Sequence, residues 1–214
     1  KDGWDNSGPF TPTWHERRFD RHGPHDELLQ TDDEVEWRRQ VKRRFEEYPC
    51  LDLSHLAGTV PLQGVRVHTV FHVPGGGESV AMDICKSGFA QLATTDAGWF
   101  ALGLYFTFDL DYAVANYGVP DADGCVTVMV CNVVVGNLYP VIEHPEAGDN
   151  RSLKGKSQVP KYDAHGVIVN SGECVPCHHG EWQAKETFSE LVLFEDSAIL
   201  PRFVMRVKVK PACQ

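Results

Sequence analysis

The 214 residues predict an α+β domain, rich in strands, with its helices near the front of the chain and its strands at the back. Three observations carry this. Residues 125–135 are almost continuously apolar and β-branched, the pattern of a central strand covered on both faces. Residues 65–72 and 202–209 alternate with a period of two, as strands do. Residues 32–48, 78–87 and 109–117 carry apolar side chains at helical spacing.

Taken in order, residues 1–30 are rich in Gly, Pro, His and charge, show no period, and read as irregular. The helix over 32–48 is capped by Thr31 or Asp32, has acids in its first turn and presents Val41, Phe45 and Tyr48 as its apolar stripe. Glu34 stands four residues before Arg38, a favourable pairing, and the run Arg38, Arg39, Lys42, Arg43, Arg44 reads as a solvated face. In the strand over 65–72, Val65, Val67 and Phe71 point one way and Arg66, His68, Val70 and His72 the other. Pro74 and three glycines end it, and the helix over 78–87 runs to a stop at Gly88. The glycines read as a flexible turn rather than an anion cradle. Residues 100–106 predict a strand and 109–117 a helix with Leu110, Ala113, Val114 and Tyr117 on one face. After the central strand come a polar loop over 143–163 and strands over 165–170, 189–195 and 202–209. The division expected is an N-terminal extension, 1–60, holding one good helix, and a domain over 61–214.

A net charge of −10 repels a phosphate backbone, so direct DNA binding is not expected, and no apolar run long enough to span a membrane occurs. Seven scattered cysteines read as thiols of an intracellular protein, in cytoplasm or nucleus. The sequon Asn150-Arg151-Ser152 keeps a secreted alternative open, and a first residue of Lys1 reads as a piece of a larger multidomain protein. Cys174-Val-Pro-Cys177-His178-His179 has half the spacing of a zinc site. His165, Cys125 or Cys131 would have to complete it, so no metal is expected and zinc is kept as a minor alternative.

No nucleotide-binding glycine loop and no nucleophile elbow is present. Five separated blocks are more specific: Phe71-His72 with Gly88-Phe89, Gly103-Leu104-Tyr105-Phe106, Ala115-Asn116-Tyr117, Val135-Gly136-Asn137-Leu138-Tyr139, and Ser189-Glu190-Leu191-Val192-Leu193-Phe194. Their order and content resemble the catalytic domain of the poly(ADP-ribose) polymerase family, among the diphtheria-toxin-like ADP-ribosyltransferases, over residues 65–209. The resemblance does not extend to residues 1–60.

The resemblance implies two packed, mostly antiparallel sheets that form an NAD cleft with flanking helices. It implies a His-Tyr-Glu constellation of His72, Tyr105 and Glu190. His72 would hydrogen-bond the nicotinamide-side ribose, Tyr105 and Tyr117 would hold the nicotinamide ring, and Glu190 would be the catalytic glutamate, with Val73 and Phe106 also in contact with NAD. Residues 90–99 would form the loop over the NAD site and 171–187 the loop facing the acceptor. The chemistry asks for these residue types. Breaking the nicotinamide–ribose bond builds positive charge that a carboxylate stabilises, and flat aromatic rings hold the leaving base.

Two positions depart from the family. Val73 follows the histidine where the family has glycine, and Val114 stands where a serine binds the carboxamide. His68, on the same strand face, is the fallback histidine. The expected activity is NAD-dependent transfer of ADP-ribose to protein side chains, including the protein's own, with mono-transfer favoured. The rivals are a weak or inactive module that binds NAD or a protein, an NAD glycohydrolase, and a zinc-dependent module.

Overall fold

In the computed structural model, which describes residues 31–51, 66–89, 98–147, 151–170, 175–178 and 186–209, the apolar run at 125–135 is one eleven-residue strand. The expected irregular segment at 1–30 and most of the two loops assigned to the cleft lie outside the described residues. The helices are α1 (Asp32–Glu47), α2 (Gly77–Ser87) and α3 (Leu110–Tyr117). The strands are β1 (Arg66–His72), β2 (Leu104–Thr107), β3 (Cys125–Val135), β4 (Leu138–Val141), β5 (Ala164–Asn170), β6 (Thr187–Leu193) and β7 (Ile199–Lys208).

These strands form a single sheet in the order β4-β5-β6-β2-β1-β3-β7. Only β4 and β5 run parallel; every other neighbouring pair is antiparallel. The expectation of two packed sheets is thus corrected to one. The reason lies at the β1–β2 junction. β1 pairs with β3 along its whole length, but it meets β2 at one residue pair, Phe71 with Thr107. That pair is enough to make the sheet continuous while letting the two strands part immediately beyond it.

Each face carries its own core. On one face Val41 and Phe45 of α1 and Ala81 and Ile84 of α2 pack with Val70, Phe106, Met129, Leu191 and Leu193. On the other, Tyr112 of α3 and Phe100 pack with Tyr139, Val167 and Val192. Thr31 starts α1 with a reciprocal cap: its hydroxyl accepts from the Glu34 amide at 3.2 Å, and its own amide donates to Glu34 Oε2 at 3.0 Å. Gly166 on β5 lies so close under Phe45 that a Cβ there would come within 2.8 Å of the ring. The expected Glu34–Arg38 pair does not form. Arg38 turns inward instead, donating to the Pro140 carbonyl at 2.6 Å and to the Glu143 carboxylate.

The strand expected over 100–106 begins only at Leu104. Ala101, fully buried, has φ 111°, a conformation no strand allows and a strained one for alanine. His165, also fully buried, holds this turn against the 151–163 loop: Nδ1–H donates to the Phe100 carbonyl at 2.8 Å and Nε2 accepts from the Val159 amide at 3.1 Å. Burial, opposed by the Phe100 bond and by Glu143, brings the His165 pKa down to about 4. The unfolded chain therefore binds a proton that the folded protein refuses. Stability is fully present above the ordinary value of 6.5 and drains as pH falls toward 4, by on the order of 3 kcal/mol. Thermal melts between pH 7 and 4.5 should show this slope, and His165→Gln should flatten it; equal slopes would count against the assignment.

Candidate functional site

The strand register decides which side chains can meet. Phe71, Thr107 and Glu190 lie directly opposite one another across β1, β2 and β6. Directly paired residues share a sheet face, and the next residue along each strand points the other way. Glu190 and Tyr105 therefore project from one face, while His72 and Phe106 project from the other. A cleft opens where β1 and β2 separate, lined by Phe71, His72, Val73, Tyr105, Phe106, Thr107, Ala113, Tyr117 and Glu190, with a cavity of about 80 Å³. The six residues singled out for the reaction and for NAD contact all line it.

Glu190 is 3% exposed. Its Oε1 accepts the hydroxyl of Tyr112 at 2.5 Å and also that of Tyr117. Burial pushes its carboxyl pKa up, and the two tyrosine bonds oppose that shift by favouring the ionised form. A carboxylate kept in a nearly dry cleft, with donors aimed at it, is a group held ready to meet positive charge.

Tyr112 does not figure in the sequence reading, which puts Tyr117 and not Tyr112 on the apolar helix face. A signal was present. Asp109 is the N-cap of α3, so the third helical residue, Tyr112, has its amide bound to Asp109 Oδ1 at 3.1 Å and its ring directed at the sheet. A tyrosine buried there needs a hydrogen-bond partner, and Glu190 is the one it finds. Tyr117, read as apolar core or as a ring-holding residue, is 45% exposed and reaches the carboxylate from the last position of the helix.

Tyr105 accepts from the Phe100 amide and donates to the Ala101 carbonyl, both at 2.8 Å, so its hydroxyl ties down the strained turn before β2. Its carbonyl accepts Nδ1–H of His72 at 2.9 Å. A carbonyl can only accept, so Nδ1 carries the proton and Nε2 is the acceptor nitrogen of a neutral ring. Burial drives the His72 pKa down and reinforces that state. Phe89 and Phe106 hold the ring from two sides, with centroids 5.2 and 5.3 Å away.

The fallback histidine is not in the cleft. His68 is buried beside Phe108 and bound through Nδ1 to the Pro49 carbonyl at 3.0 Å. Val114 does not line the cleft either; Ala113 forms that part of the wall. Cys177 is buried, with its amide donating to the Ile168 carbonyl at 2.8 Å, and His178 packs on Trp37. Cys174 and His179 lie outside the described residues, and among those described no three His, Cys, Asp or Glu side chains gather as a metal site. No helix among the described residues is long and apolar enough to cross a membrane.

The family model for the poly(ADP-ribose) polymerase catalytic domain matches residues 38–209. No curated protein matches the chain.

Proposed function

The chain belongs to the poly(ADP-ribose) polymerase catalytic-domain family, and on that premise we propose that it cleaves the nicotinamide–ribose bond of NAD and transfers ADP-ribose to protein side chains, one unit at a time. The observation that carries this reading is Glu190, a buried carboxylate with two donors aimed at it in the cleft where β1 and β2 part.

In this mechanism the bond from ribose C1 to the nicotinamide nitrogen breaks, and nicotinamide leaves with the electron pair. Glu190 faces the positive ribose ring that results, in a cleft of low dielectric where its charge is worth most. The acceptor's O–H or N–H then attacks C1, a C–O or C–N bond forms, and the proton passes to Glu190 or to water. A carboxyl whose pKa is raised by burial is a better proton acceptor than an ordinary one. His72, neutral and with Nδ1–H committed to Tyr105, offers Nε2 to a ribose hydroxyl, which donates to it. Tyr105, fixed at its hydroxyl, gives the nicotinamide a rigid wall, and the half-exposed ring of Tyr117 also lines the cleft. Val73 and Phe106 complete the lining. We place this activity inside the cell, where scattered thiols persist.

One observation favours a second reading. Val73 lines the cleft where the family has glycine, so an inactive module of the same fold is the rival. Incubation with NAD labelled in its adenosine half, following nicotinamide release and label on protein together, separates the readings. Equal release and labelling, with single ADP-ribose units at each site, is the expected outcome. Release without label would mean hydrolysis. Neither signal would mean a binding module.

A further inference from the structure

Resting on that reading of the site, we infer that Tyr112 is a positioning residue for the reaction, its hydroxyl holding Glu190 Oε1 in place. The two tyrosines reach one atom, Oε1, from opposite ends of α3. A carboxylate accepts on both oxygens, so bonds held at Oε1 leave Oε2 to meet a substrate hydroxyl.

The two are not equivalent. Tyr112 is 1% exposed, and its ring is stacked on Phe188 with centroids 4.6 Å apart. Its amide is bound to Asp109, and the Asp109 amide donates to Thr107 Oγ1 at 3.2 Å. Thr107 in turn donates to the Ser189 carbonyl at 2.9 Å and stands directly opposite Glu190. Donor and acceptor of the Tyr112–Glu190 bond thus spring from one rigid piece of β2, β6 and the start of α3. Tyr117 stands at the other end of the helix, before Gly118, and nearly half its surface is in water. Its ring meets that of Tyr112 edge to face, with centroids 6.0 Å apart, and lines the cavity. Among the described residues, the titratable groups at the cleft beside Glu190 are these two tyrosines, Tyr105 from β2 and, from the other sheet face, His72 of β1. Among the described residues that line the cleft there is no lysine, arginine or second carboxylate.

The test compares Tyr112→Phe and Tyr117→Phe, which keep both rings, by the pH profiles of kcat and kcat/KM. Tyr112→Phe should lower kcat about tenfold or more, with KM for NAD nearly unchanged. It should move the acidic limb of both profiles to higher pH, because a donor that favours the ionised carboxyl is gone. Tyr117→Phe, at the exposed end of the helix, should move both limbs less than Tyr112→Phe does. Wild-type values for Tyr112→Phe, or equal shifts of the kcat limb in both variants, would overturn the inference. A wild-type protein that turns over no NAD overturns the functional reading instead. The carboxyl titration of Glu190 in the ligand-free protein, followed by ¹³C NMR and assigned with Glu190→Gln, needs no turnover. An unchanged midpoint in Tyr112→Phe would overturn the inference on its own.

Discussion

Glu190→Gln is expected to lower NAD turnover by at least about a hundredfold and to leave the protein as stable as wild type, or more so, at neutral pH. On the proposed reading the catalytic loss follows from removing the charge that meets the ribose ring, a kind of deletion that costs about 10²–10³ in rate. The stability gain follows from the raised carboxyl. Below the ordinary value of 4.5 both folded and unfolded chains keep the proton, and nothing is lost. As pH climbs past it, the unfolded chain gives up its proton first, and the folded protein loses stability until its own carboxyl ionises. At pH 7 the folded protein therefore carries the full cost of a buried charge, which glutamine does not. Turnover and thermal melts at pH 4, 5.5 and 7 read both effects. A drop of several degrees at pH 7 would mean that the tyrosine bonds outweigh the desolvation, and that the carboxylate is a structural group.

Arg38→Ala should cost about 3–5 kcal/mol, because it strands a carboxylate in a buried place. The Arg38 and Glu143 side chains are 16% and 9% exposed. Tyr139 also donates to Glu143 at 2.8 Å, and the guanidinium lies 5.0 Å over the Tyr139 ring. For a chain of this length the loss appears as a fall in Tm of roughly 6–20 °C. The double change Arg38→Met with Glu143→Leu should recover most of it, since neither charge then needs a partner. A single-variant loss under about 1 kcal/mol would show that water reaches the pair and screens it, as at an ordinary surface.

Arg38 also shows where sequence reading stops. The i, i+4 spacing of Glu34 and Arg38 is a sound local rule, but Glu143 lies 105 residues on, and only the fold brings it close. Local rules served where the deciding forces were local: the cap at Thr31, the halt of α2 at Gly88 and the apolar run of β3. They failed at Phe100–Gly103, where an apolar stretch is a buried turn pinned by the Tyr105 hydroxyl. They also failed at Leu138–Val141, four residues containing Pro140, too short to show a period. The clean alternation of 202–209 does not sort the side chains of the edge strand β7: Val204 packs on the core, while Phe203 is 63% exposed.

The site divides in the same way. His72, Tyr105, Tyr117 and Glu190 sit in ordered blocks and were legible by resemblance. Tyr112 belongs to none of those blocks, and its partner is 78 residues distant. The single sheet was invisible for a related reason: its continuity rests on the lone pairing of Phe71 with Thr107.

The strand order also says when the site comes into being as the chain is made. β6, which bears Glu190, is inserted between β5 and β2, both of which precede it in the chain. A nascent chain that stops before Thr187 has the bare edges of β2 and β5 facing a gap in the middle of its sheet, each able to pair with a stranger. Closing that gap joins Thr107 to Glu190 across 83 residues and is among the slowest kinds of contact to form. Until it closes, the cleft lacks the carboxylate of Glu190.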